Sequence, residues 1–473
     1  VSGPGARQPY QYRTFEAVEP DWRRFPGWRE VSEAEWGDAT WQRKNSIKTP
    51  RALRRVLGEL VDEGFYEDLA SDQATHATMS MLLTPQVLNT IVPHEAPSTE
   101  GLYEDPVRRY VLPVASDRHP RWPTHPRASR DSLHETEMWV VEGLIHRYPT
   151  KVLAELVTTC PLYCGHCTRM DLVGPSTPQV SKQRFVTRAP ERREQILDYL
   201  RATPTVRDVV VSGGDLTNLP WPRLEAFVNG LLEIEHIRDV RLASKGLMSL
   251  PQHWLSDEIR AGVERVAAKA FARGVSLAIH THVNAAAQVT RRFADAAKAM
   301  TEAGVRQIRN QGVLLRGVNA TPEALLDLCF AVLDTAGVLP YYFYLCDMIP
   351  ASEHWRLTVG EAQDLQHAIM GYLPGFATPR LVCDVPYVGK RWVDQVVDYD
   401  RERGISYWTK NYLTSVDAGE EDALLRRFEY YDPIHELPRA GQAFWEAEIA
   451  LAAGGSNGSA SRAGHATGAV IAS

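Results

Sequence analysis

The sequence predicts an α/β fold in which parallel strands are joined by helical crossovers, and three observations predict it. From about residue 150, short runs rich in Val, Ile, Leu and Tyr alternate with longer helical stretches. Five of the first six runs are each followed by helical sequence before the next strand begins, which argues for parallel pairing. Three cysteines cluster directly after the first run, at the strand edge where ligand sites of such sheets collect.

Strands are expected at 151–159 ("KVLAELVTT"), 206–214, 237–244, 275–280, 305–315 and 339–346, with a short seventh at 380–384 ("RLVCD"). The intervening "ERREQILDYLRA", "WPRLEAFVNGLLEIE", "EIRAGVERVAAKAFARG", "VTRRFADAAKAMTEAG" and "TPEALLDLCFAVLDTAG" carry apolar residues at helical spacing. Six such units suit a doubly wound sheet or a partial barrel, and periodicity alone does not choose. Residues 1–30, rich in Pro, Gly, Arg and aromatics, read as an irregular arm. Residues 31–145 read as mainly helical, closing in a Pro-rich connection, with the repeating unit at 146–375. Residues 376–450 form a further segment, and the small-residue tail at 451–473 is expected to be disordered.

The 473 residues hold 52 Lys and Arg against 59 Asp and Glu, a net charge of -7, so no basic excess points to nucleic acid. No run of 18 uncharged apolar residues occurs, and a membrane span is not expected. Six cysteines are too few for a disulfide scaffold, and the cytoplasm is the expected location.

"TTCPLYCGHCTRM" packs Cys160, Cys164 and Cys167 into eight positions. Thiolates are soft ligands for iron-sulfur clusters or zinc. His166 could complete a zinc site, but zinc cysteines usually come as two separated pairs and no second pair is near. Three cysteines could instead hold three irons of a four-iron cluster and leave the fourth open. Cys329, Cys346 and Cys383 lie in apolar text and read as core.

In "VVVSGGDLTNLP", Ser212, Gly213, Gly214 and Asp215 end the second strand, where paired glycines allow close backbone approach or a positive φ. His280 and His282, in "IHTHVN", share one face with Thr281 opposite. Asp347 and Asp384 end the segments "YLCD" and "LVCD"; two such carboxylates repel when empty, so a cationic guest would stabilise them.

CxxxCxxC after a first strand is the signature of radical S-adenosylmethionine (SAM) enzymes. The fuller run "HRYPTKVLAELVTTCPLYCGHCTRM", with "HTHVNAAAQVT", "IRNQGVLLRGVN", "PYYFYLCDM" and "LVCDVPYVGKR", resembles the lysine 2,3-aminomutase family over roughly residues 35 to 415. The resemblance implies a partial (β/α)6 barrel with an N-terminal helical extension and a C-terminal α+β extension. It implies a [4Fe-4S] cluster on Cys160, Cys164 and Cys167 whose free iron binds SAM, with Ser212 to Asp215, His280 and His282 around that ligand. It makes Lys390 the lysine that bonds pyridoxal 5'-phosphate, where a depressed pKa would favour it. Arg147 would lie near that cofactor, with Asn310, Gln311 and Tyr344 lining the cavity and Tyr344 beside Lys390 in catalysis. Arg169 would clamp the substrate carboxylate through its planar donors, and Asp347 with Asp384 would hold a side-chain ammonium.

The activity so implied moves an amino group between Cα and Cβ of L-lysine or a similar small basic amino acid. L-arginine or a peptidyl lysine are alternative substrates, and a non-catalytic iron-sulfur or zinc protein is the alternative class. Flavodoxin or ferredoxin would donate the electron, and a homo-oligomer is expected. The chain departs from the family at Pro386-Tyr387-Val388-Gly389, where a longer glycine run is usual, and at Gly165, where arginine is common. Met170 and Asp171 also replace frequent arginines. No cysteine follows Cys383, so a structural zinc is not expected.

Overall fold

The computed structural model describes residues 9–417, 420 and 422–454. The predicted tail from 455 onward lies outside these residues. Ten strands form one sheet: β1 (Trp139–Val141), β2 (Leu144–Tyr148), β3 (Lys151–Val157), β4 (Asp208–Gly213), β5 (Asp239–Ala243), β6 (Ser276–Thr281), β7 (Gln307–Leu314), β8 (Leu339–Leu345), β9 (Arg380–Val385) and β10 (Gly389–Trp392). Spatial order follows chain order throughout, and β3 to β9 are mutually parallel. Each of the seven strands read from the sequence is present within a few residues of its expected bounds.

Six crossover helices, Ala189–Ala202, Trp221–Leu232, Asp257–Ala272, Arg291–Glu302, Pro322–Ala336 and Val359–Ile369, join these parallel strands. Right-handed crossovers that always step to the next strand put every helix on the same face. On β3 the period of two sends Val152, Ala154 and Leu156 into the helix-facing core, leaving Leu153, Glu155 and Val157 on the opposite face. Local signals set the helix ends. Thr321 caps at the N-terminus by accepting from the Ala324 amide, and Gly337 closes the same helix at φ +60°.

Three strands of this sheet were not foreseen. β1 and β2 add an antiparallel hairpin at one edge, and β10 folds back on β9 at the other. Side chains of β2 bridge to this second edge. Arg147 donates to the Val385 carbonyl at 2.9 Å, and the Lys390 amide donates to the Tyr148 hydroxyl at 3.0 Å. Beyond the sheet, β11 (Asp398–Asp400), β12 (Ile405–Trp408) and β13 (Phe428–Tyr431) form a small antiparallel sheet, followed by the helix Arg439–Gly454.

The N-terminal arm is more fixed than its composition suggests. Trp22 stacks on Trp36 with ring centroids 4.8 Å apart, and Tyr10 donates to Asp327 on a crossover helix at 2.8 Å. Buried amides tie the N-terminal helices to the crossover layer: the Gln86 amide donates to Gln42 at 2.9 Å, and Gln252 donates to the Gln86 side chain at 2.7 Å. Among the described residues, no helix is long and apolar enough to cross a membrane. Gln86→Leu is expected to cost about 1–3 kcal/mol, since it leaves the buried Gln252 amide without this acceptor. A urea titration showing an unchanged midpoint would remove the network from the stability argument.

Candidate active site

The cysteine loop leaves the sheet where β3 ends at Val157, so Cys160 lies three residues past the strand rather than at its end. The glycines after β4 serve this loop. Gly213 has φ +126°, and a Cβ there would sit 2.3 Å from the Val157 carbonyl; at Gly214 it would sit 2.5 Å from that of Thr159. The close approach read from the sequence is thus made by the protein's own backbone. Asp215 is likewise committed, accepting from the Thr217 amide at 2.9 Å, the Ser244 hydroxyl at 2.7 Å and the Lys245 amide at 2.8 Å. These bonds aim Lys245 into the loop, where its Nζ lies 3.2 Å from Cys164 Sγ.

Burial pushes the thiols of Cys160 and Cys167 up, with Lys245 opposing. A bound cation would favour their thiolates. Among the described residues, the ligand atoms that converge within 4.8 Å of one another are those of Cys164, His166 and His282. His166 is buried with Nδ1 unpartnered, and burial holds its imidazole neutral. Three thiols spread along one loop suit a multi-iron cluster, which takes one thiolate at each ligated corner; the donor set fits.

At the last edge of the sheet, the β9–β10 hairpin sets Lys390 directly opposite Asp384. Lys390 Nζ is 3.2 Å from one oxygen of Asp384, and Arg147, only 4% exposed, is 2.8 Å from the other. Burial alone would lower the Lys390 ammonium, but Asp384 outweighs it and holds the group well above its ordinary value. That reverses the depressed pKa expected from the sequence. Asp384 is buried too, yet Arg147 and Lys390 keep it below its usual range. Arg147 and Asp384, expected to serve cofactor and substrate separately, are therefore paired with each other. Asp347 has no such partner, and burial together with Asp384 pushes its carboxyl up to about 8.

The ring of Tyr148 lies 5.7 Å and that of Tyr344 5.5 Å from Lys390 Nζ. Gln311 donates to the Tyr344 hydroxyl at 2.7 Å and pairs with His280 Nδ1 at 3.0 Å; its carbonyl lies 2.8 Å from His282 Nδ1. Polar side chains therefore follow one another from Cys164 past His282 and Gln311 to Tyr344, whose ring faces Lys390. Ser212 stands opposite Glu155 across β3 and β4 on the same face. Asn310 does not join this series. It is fully buried on the opposite face, its side chain spent on the backbone amide and carbonyl of Val283 at 2.8 and 3.0 Å. Arg147 keeps Nε buried and unpartnered beside Lys390, a spare donor that fits an anionic cofactor group.

Arg169 is already engaged. Its Nε lies 3.0 Å from Glu135 and 2.9 Å from Glu155. Burial, with Glu135 adding to it and Arg169 opposing, pushes Glu155 up to about 7. The unusual turn before Lys390 also has a partner: Tyr387, at φ +62°, stacks on His134 with centroids 4.2 Å apart and bonds it at 2.9 Å.

Sequence reasoning missed Lys245, Glu135, Glu155 and Tyr148. Glu155 carried a signal, the one acidic residue within "KVLAELV" at the inward period. Lys245, directly after a strand end, carried a weaker one, and Glu135 and Tyr148 carried none in their own text.

No protein-family model matches the chain. An L-lysine 2,3-aminomutase from Clostridium subterminale is 30% identical over 426 residues, covering 88% of this chain and 89% of that protein. One from Bacillus subtilis is 26% identical over 90% of this chain and 80% of its own, and a glutamate 2,3-aminomutase from Clostridioides difficile is 25% identical over 76% of each. A solved radical SAM methyltransferase from Sphaerobacter thermophilus overlaps 53% of this chain and 70% of its own at TM-score 0.33 and 14% identity, too slight a likeness to bear on the fold. With nearly nine-tenths of both chains aligned at 30% identity, this chain belongs to the lysine 2,3-aminomutase family of radical SAM enzymes.

Proposed function

We propose that this chain is a radical 2,3-aminomutase acting on a basic amino acid, built on an incomplete (β/α)6 barrel. The observation that carries the reading is the series of polar side chains from the three-cysteine loop past His282 and Gln311 to Tyr344, whose ring faces Lys390. Cys160, Cys164 and Cys167 would hold a [4Fe-4S] cluster, and Lys390 with Arg147 a pyridoxal 5'-phosphate. When bound, these groups and SAM supply the radical and the nitrogen-transfer chemistry.

The chain's own residues do the rest. Lys390 must lose a proton before its amine can bond a carbonyl, and Asp384, 3.2 Å away, is the nearest acceptor. The rings of Tyr344 and Tyr148 face the ammonium and help position it. Lys245, held by Asp215, puts a positive charge beside the cysteine loop, suited to an anionic cluster or a carboxylate. Asp347, half-buried and without a paired cation, favours a guest with a positively charged side chain. L-Lysine is the substrate this supports best, with L-arginine second. Reduction by flavodoxin or ferredoxin, assembly into a homo-oligomer and a cytoplasmic location belong to the same reading. A second reading, a zinc ion on Cys164, His166 and His282, is favoured by their close approach but leaves Cys160 and Cys167 unused.

Anaerobic reconstitution tests the two readings together. Iron and sulfide should load and SAM should be cleaved, whereas stoichiometric zinc with no cleavage would replace the proposal. Separate Cys160→Ala, Cys164→Ala and Cys167→Ala variants should each lose 5'-deoxyadenosine formation. Borohydride with pyridoxal 5'-phosphate should leave its mass on Lys390, and retention of that mass by Lys390→Ala would reassign the lysine.

The Asp347 carboxyl also sets a pH dependence. Its folded value of about 8 lies above its unfolded value, so the native chain binds the extra proton. Its contribution to stability is then present at low pH and lost as pH rises toward 8. Asp347→Asn should flatten that decline in thermal melts of the ligand-free chain while weakening use of basic substrates. An unchanged melting profile from pH 5 to 8 would remove Asp347 from this role.

A further inference from the structure

Arg169 stands where a carboxylate clamp is expected, yet two glutamates already hold it. Glu135 reaches Nε at 3.0 Å and a terminal nitrogen at 3.2 Å, and Glu155 reaches Nε at 2.9 Å. Both are built into the site. Glu155 projects from β3 at 2% exposure, opposite Ser212. Glu135 is fixed through its amide to Asp131 at 2.9 Å, and the adjacent His134 stacks on Tyr387 in the turn that carries Lys390. One guanidinium is thus shared by two carboxyl groups before a substrate arrives.

A free α-carboxylate would have to share one guanidinium with both of these largely buried acidic side chains. Like charges at such distances repel far more strongly than in bulk water. An uncharged carbonyl needs only donors. The second terminal nitrogen of Arg169 has no partner in these ion pairs, so its two N–H groups remain for such a group. We infer that the substrate carries its carboxyl masked as an uncharged amide or ester, with Glu155 and Glu135 as the residues that disfavour the free acid. This rests on the aminomutase reading above and narrows its substrate class.

The test uses the reconstituted enzyme under anaerobic conditions with L-lysine, L-lysinamide and L-lysylglycine, and with L-arginine and its amide so that the side chain does not decide the result. Equilibrium dialysis of the same compounds gives binding without turnover. At least one masked compound should be isomerised with kcat/KM tenfold or more above its free acid, and should bind more tightly by a similar factor. A preference for lysylglycine over lysinamide would identify a peptide source, the reverse a small amide, and either supports the inference. Glu155→Gln should narrow the gap at least threefold, chiefly by lowering KM for the free acid. Glu135→Gln, on a partly exposed connection, should act in the same direction. Free lysine or arginine isomerised as well as its amide would overturn the inference and leave the aminomutase reading standing. No binding or turnover of any of the five would overturn both.

Discussion

The buried ion-pair chain Arg147–Asp384–Lys390 is the constraint on which the rest of the site depends. It spans two edges of a sheet that share no backbone ladder, so side chains do there what hydrogen-bonded strands do elsewhere. Each charge is tolerable in that setting because the next one neutralises it, and removing any member strands its neighbour. The resting lysine is in consequence a paired ammonium. Desolvation, the influence that would make it a free amine, is present but loses to a carboxylate 3.2 Å away.

The parallel core was legible because buried strands and amphipathic helices have distinct periods, and β3 to β9 are long enough to show theirs. The hairpins at the two edges were not. "GKRW" and "WVV" are short, and the turn at Pro386 to Val388 lacks the Asn-Gly or Asp-Gly chemistry that announces a hairpin. Missing β10 hid the fact that Lys390 faces Asp384 directly, which is why the lysine's protonation was misjudged. The cysteine loop stood out by its spacing together with its place after the first parallel strand. Asn310 was misplaced because a one-residue slip along β7 exchanges the cavity face for the helix face, and the bulge between Asn310 and Gln311 falls there. The His134–Tyr387 stack joins segments more than 250 residues apart in the chain, and no local pattern encodes such a pairing.

Charge is distributed unevenly around the site. On the cysteine side a lysine is aimed at the thiols by Asp215, and the backbone of two glycines anchors the loop, so its geometry does not wait on a ligand. On the lysine side, acidic groups at 135, 155, 347 and 384 outnumber the cations at 147, 169 and 390. The two sides thus differ in their balance of charged groups, within a chain whose overall charge says little about either.

Gly165 illustrates how such a site constrains its own history. A Cβ at this position would come within 2.4 Å of the Trp355 indole, whose fully buried ring occupies the space a longer side chain would need. Residues 165 and 355 are therefore epistatic. An arginine introduced at the first without shrinking the second collides, while shrinking the second alone opens a void beside the cysteines. Any evolutionary route between this loop and one bearing a cation there must pass through a paired exchange or a weakened intermediate.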